Sequence, residues 1–204
     1  MKNTKTIIFL TILLLSVSLH AQNEQITDAF EQSYIHENAE QYDLAISDLQ
    51  AVYLPSSYEI NLRLGWLHYL ADKTKASIEY YKKSAEILPA ATEPLWAVIT
   101  VYNKLENWVA IEKAYLSILK LDAKNTTANY QLGLIYYYRK DFIKAKKYFD
   151  VSLNLIPFNY NYLLMSGWTN YFLGNKNNAS ILFHKVLLYS PKDTSALEGL
   201  SLLK

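Results

Sequence analysis

From Leu132 to Pro157 the chain reads LGLIYYYRKDFIKAKKYFDVSLNLIP, and its apolar and polar positions alternate with the three-to-four-residue rhythm of amphipathic helices. The run nevertheless holds Gly133 inside it and Pro157 at its end. Glycine costs a helix interior about 1 kcal/mol relative to alanine and proline about 3 kcal/mol. Something beyond the local helix must offset both.

The same features return along the chain at one interval. Pro55 and Pro89 are separated by the same distance as Pro157 and Pro191, and Ala123 stands midway across the doubled gap between Pro89 and Pro157. Gly65, Gly133 and Gly167 each stand at one fixed distance before a closing proline, and Ile99 holds that column before Ala123. Tyr81, Tyr115, Phe149 and Phe183 form another column, closer to each closing position. Columns that keep one period describe a unit that cannot bury its own apolar face and stacks on its neighbours.

On these residues the sequence resembles the tetratricopeptide-repeat family, whose unit is a 34-residue helical hairpin. Leu132, Gly133, Tyr136, Ala145, Phe149 and Pro157 occupy the family's signature columns. The resemblance implies an all-α solenoid of about five hairpins near 24–57, 58–91, 92–125, 126–159 and 160–193, closed by a capping helix over 194–204. It also accounts for the glycine and the proline: Gly133 is expected to face Ala145 where the two helices cross closely, and Pro157 to stop the second helix.

Two repeats depart from the pattern. In the third, Ile99, Ile111 and Ile118 replace small residues, which implies either a wider hairpin or a second helix slipped by one so that Ala110 and Ser117 fill those columns. In the first, the turn around Asn38 to Gln41 is expected to be longer than the others. At the C-terminus, Ser195 followed by Glu198 predicts a capping box, with Leu197, Leu200 and Leu203 facing the last repeat.

Composition narrows the functional classes. The opening stretch, MKNTKTIIFLTILLLSVSLHAQ, carries two lysines, an apolar run too short to span a bilayer, and a small residue before a polar segment. That order predicts a secretory signal peptide over 1–21, cut after Ala21, and hence an exported chain in a periplasm or outside the cell. The mature chain loses Lys2 and Lys5 and stands at 18 basic against 19 acidic side chains, so no nucleic-acid partner is expected. There is no cysteine, which excludes disulfides, thiol catalysis and thiolate metal sites. His36, His68 and His184 are too far apart in the repeat to form a ligand set, and His68 reads as a core residue with a hydrogen-bonded partner. No catalytic or phosphate-binding motif occurs, so neither an enzyme nor a cofactor or metal is expected. The basic run of Arg139, Lys140, Lys144, Lys146 and Lys147 reads as a solvated helix surface.

Eighteen tyrosines, seven phenylalanines and four tryptophans exceed what helical hairpins need for their cores. On each first helix, positions 4, 7, 8 and 11 share the face toward the second helix, and positions 2, 5, 9 and 12 share the adjacent one. In the family that adjacent face lines a ligand groove. The resemblance thus implies a binding surface of Trp66, Tyr69, Trp96, Tyr130, Tyr137, Trp168 and Tyr171, with Tyr136 in the core beside Phe149. The family's carboxylate clamp is missing, because Asp28, Gln32, Leu62 and Trp66 stand where basic and amide groups belong. The expected role is a non-catalytic adaptor for a protein or peptide segment of the cell envelope, such as an outer-membrane or secretion component. The alternative is a carbohydrate-handling module whose rings stack on a glycan.

Overall fold

A computed structural model describes residues 22–204; the expected signal peptide and its cleavage after Ala21 lie outside them. Among the described residues there are eleven helices and no strand. Residues 22–38 form α1, followed by α2 (Tyr42–Ala51), α3 (Tyr58–Leu70), α4 (Thr74–Ile87), α5 (Glu93–Lys104) and α6 (Trp108–Leu121). Then come α7 (Thr126–Tyr138), α8 (Phe142–Leu155), α9 (Tyr160–Phe172), α10 (Lys176–Tyr189) and α11 (Thr194–Leu202). No helix among the described residues is long and apolar enough to cross a membrane. The chain divides into two compact units between Val101 and Tyr102, within α5.

The repeat period is written into the helix boundaries: α4, α6, α8 and α10 begin at the evenly spaced Thr74, Trp108, Phe142 and Lys176. The third repeat therefore keeps its register. Ile111 and Ile118 are buried, while Ala110 and Ser117 are half-buried, so the isoleucines occupy the inward columns without a slip. In the first repeat the connection is the usual short one, 39–41, and is not longer. α1 runs on through Asn38 and α2 starts correspondingly late. Each connection within a hairpin turns through one residue with positive φ, namely Glu40, Asp72, Glu106, Lys140 and Gly174.

Another periodic column stops the helix ends from fraying. Ser57, Asn125, Asn159 and Asp193 each accept a hydrogen bond from the backbone amide three positions on, which satisfies a helix N-terminus that would otherwise lack a partner. Asn61 and Asn129, both buried and two repeats apart, donate into the turn before their helix, to the carbonyls of Pro55 and Ser57 and of Ala123 and Asn125.

Packing explains the glycine column differently from the sequence expectation. A Cβ on Gly133 would lie 2.4 Å from the ring of Phe149, one on Gly65 2.6 Å from Tyr81, and one on Gly167 2.8 Å from Phe183. The small residue makes room for the aromatic column of the second helix. Phe149 is fully buried against Gly133 and Tyr130, the latter 5.6 Å away ring to ring. Tyr136, expected beside Phe149, is only half-buried; it stacks on Tyr148 at 5.5 Å, and its hydroxyl donates to Glu112.

In unit 1, Ala45, Ile46, Leu49, Ile60, Leu64 and Leu67 form the core between α2 and α3. In unit 2 the last core joins Leu163, Ala179, Phe183, Val186 and Ala196. α11 caps it, though not as the sequence suggested. Asp193, not Ser195, is its N-cap and accepts from Ala196 N at 2.8 Å. The inward face is Ala196, Gly199, Leu200 and Leu203, whereas Leu197 points out. Gly199 is inward because a Cβ there would strike the other edge of Phe183 at 2.4 Å.

Candidate functional site

Unit 2 contains a cleft of about 570 Å³ between α6 and α7. Its walls are Trp108, Ile111, Tyr115, Leu134, Ile135 and Tyr138, and its polar rim is Asn103, Gln131 and Arg139. Two of these rings are unusually open: Trp108 is 57% exposed and Tyr138 76%. Trp108 is the first residue of α6, held there by Asn107, whose side chain caps the helix through Ala110 N at 3.1 Å. Tyr138 closes α7 immediately before the left-handed turn at Lys140. The ends of two adjacent helices thus hold two large rings in water, on either side of an apolar floor.

The rim is fixed by charge. Glu112 on α6 accepts from Arg139 Nη1 and from the Tyr136 hydroxyl, both at 2.5 Å. Burial pushes the Glu112 carboxyl up, but the bonds from Tyr136 and Arg139 outweigh it and leave the group below the ordinary carboxylate value. The same bond to Glu112, with burial, pushes the Tyr136 hydroxyl up to about 12. Arg139 is therefore tied to the preceding repeat, and other members of the basic run are likewise engaged: Lys144 pairs with Asp141 and Lys146 with Asp150.

The aromatic row expected from the sequence falls into separate groups. In unit 1, Trp66 and Tyr69 lie 5.7 Å apart, and the Trp66 indole donates to Glu37 Oε1 at 2.6 Å. Trp96 is half-buried on α5. In unit 2, Tyr130 packs on Phe149 and, at 5.0 Å, on Tyr162. Tyr137 meets Phe142 and Phe172, and Phe172 meets Trp168 and Tyr171, so these rings form one continuous cluster through α7, α8 and α9. Trp168 also packs edge-on against Phe183 at 5.1 Å and donates to Ser195 Oγ at 2.8 Å, which ties it to α11.

Sequence reasoning missed Trp108, Gln131, Ile135 and Arg139. Trp108 has no counterpart in the family's signature columns, and its only signal was a large ring at a second-helix N-terminus, where solvent is expected. His68 is buried as expected but not hydrogen-bonded: its ring stacks on Tyr80 at 5.1 Å with neither nitrogen partnered.

Comparison with known proteins agrees with the geometry. The family model described as tetratricopeptide repeat matches residues 126–159, the bounds of the fourth hairpin. The crystal structure of MamA protein superposes with a TM-score of 0.66 at 20% identity, covering 83% of this chain and 94% of that one. A tetratricopeptide repeat protein from Parabacteroides merdae superposes at 0.68 with 19% identity, covering 88% and 72%. Residues 126–159 are a tetratricopeptide repeat, and the chain shares the fold of tetratricopeptide-repeat structures.

YrrB, another tetratricopeptide-repeat protein, shares the fold with a TM-score of 0.65 at 14% identity over 91% of this chain and 97% of its own. In sequence, the BBSome complex member BBS4 of Mus musculus is 26% identical over 134 residues. That stretch is 66% of this chain and 26% of BBS4, so the chain spans about a quarter of that relative. Such repeats are generally non-catalytic binding scaffolds, and the fold supports a protein partner. In this tetratricopeptide array the clamp positions remain unsuited to a carboxylate, since Leu62 and Trp66 line a recess in unit 1 together with Glu59 and Glu93.

Proposed function

We propose that this scaffold is exported and holds a peptide or protein segment of a cell-envelope assembly, with an apolar side chain of that segment seated in the cleft between α6 and α7. The observation that carries the reading is the cleft itself, where Trp108 and Tyr138 stand more than half exposed above an apolar floor. Exposed rings beside a pocket are what binding hot spots use, because they present large apolar area with a polar end at low entropic cost. Six apolar or aromatic walls against three polar rim groups suit a peptide side chain better than a hydroxyl-rich glycan. YrrB, of the same fold, has an unusual peptide-binding site, which is consistent with this use. Export rests on the basic and apolar order of residues 1–21.

In-cell photo-crosslinking tests the site. A benzophenone amino acid at position 138 is expected to give a discrete adduct with one protein, and the same probe at position 147, on the outer face of α8, is expected to give none. Equal patterns from both positions, or no adduct from position 138, would contradict the reading.

A further inference from the structure

Charge is segregated in unit 1 in a way that the net charge of the chain conceals. Its first helices, α1, α3 and the part of α5 before Tyr102, carry six acidic side chains, Glu24, Asp28, Glu31, Glu37, Glu59 and Glu93, against one basic side chain, Arg63. Arg63 is 8% exposed and fully engaged: it pairs with Glu37, bonds Ser33 Oγ through two nitrogens at 3.3 Å, and lies 3.8 Å over the Tyr34 ring. Its charge is therefore spent internally. Arg63 lines part of a recess of about 470 Å³, walled also by Tyr34, Tyr58 and Trp66 and carrying the carboxylates of Glu59 and Glu93. Those two accept only from neutral hydroxyls, Ser57 and Tyr58, at 3.0 Å each, and neither is in an ion pair among the described residues. Their field registers on a neighbour: burial, and then the Glu93 and Glu59 carboxylates, push the Tyr58 hydroxyl up to about 12.

We propose that this recess is a cation-accepting site, which takes lysine or arginine side chains of a basic partner segment between the aromatic rings and the two uncompensated carboxylates. A ring face attracts a cation through its quadrupole, and Tyr34 already holds one guanidinium in that manner. Opposite charge across the contact speeds and orients association. The occupant is the reverse in sign of the carboxylate the family's clamp would take, and it is distinct from the apolar side chain assigned to the cleft in unit 2.

Isothermal titration of the protein with heptalysine and with heptaglutamate tests the site. Heptalysine is expected to bind, more weakly as salt is raised, and heptaglutamate is expected not to bind. Glu59→Gln combined with Glu93→Gln should weaken heptalysine about fivefold or more, and Trp66→Leu about two- to fivefold. The charge-matched pair Glu79→Gln with Glu86→Gln, on the second helix α4 of the same unit, should leave affinity unchanged. Trp108→Ala should leave it unchanged too, so failure of the cleft in unit 2 would not be mistaken for failure here. Thermal melts of each variant monitor folding. No heptalysine binding, or an equal loss from the α4 pair, would overturn the proposal.

Discussion

At the scale of single residues, stability is concentrated where a glycine meets a ring. Gly133→Ala would ordinarily favour a helix by about 1 kcal/mol, but here the methyl would enter Phe149, which is fully buried and cannot retreat. The substitution should destabilise by about 1–3 kcal/mol, the usual cost of overpacking a core, as read by chemical denaturation. Gly174→Ala offers a contrast: nothing crowds that position, but its φ of 75° belongs to the left-handed region, so the expected loss of about 1 kcal/mol has a backbone origin. His68 makes a separate prediction. Its burial, and then Lys73, hold its pKa below the ordinary 6.5, while Asp43 opposes them weakly. The unfolded chain therefore binds the proton more readily, so the melting temperature should fall as pH drops below that ordinary value and be insensitive to this group above it. His68→Phe, which keeps the stack on Tyr80, should flatten that slope; an unchanged slope would assign it elsewhere.

Elements are organised by the same columns, and here the sequence was most readable. Proline, glycine and aromatic positions recur because each repeat solves one packing problem in one way, so their period located the hairpins, and the helix boundaries follow it to the residue in the second helices from α4 onward. What could not be read depends on three-dimensional neighbours. The ring that fills the space at Gly133 is that of Phe149, and only the crossing of the helices shows that. Ser195 and Glu198 match a capping box, but Asp193 caps the helix through the amide of Ala196 and also accepts from the Tyr160 hydroxyl at 2.6 Å, and Leu197 faces water. Trp108 was silent for the opposite reason, since no column predicts an exposed ring. Because Phe183 is clamped between Gly167 and Gly199, α11 is part of the final core. Removing residues 194–204 should uncover that ring, break the bond from Trp168 to Ser195, lower the melting temperature and promote self-association in light scattering. An unchanged monomer would show that α11 is not a cap.

Across the whole molecule, rings that hold repeats together differ from rings that stand open to solvent. Tyr130, Tyr137 and Trp168 have packing neighbours within unit 2, whereas Trp108 and Tyr138, the latter edge-on to Tyr137 at 5.7 Å, project beside an apolar cleft. Trp108 is the sharper test, being the first residue of its helix, where truncation removes little from the core. The deciding measurement is the affinity of Trp108→Ala for the partner captured from position 138, taken together with its denaturation midpoint. A ring that serves as a hot spot should weaken binding by about 2 kcal/mol or more, roughly thirtyfold, with stability within about 0.5 kcal/mol of the parent, as for a surface substitution. Undiminished affinity, or a loss of stability as large as that of a core aromatic, would contradict the assignment of the cleft as the binding site.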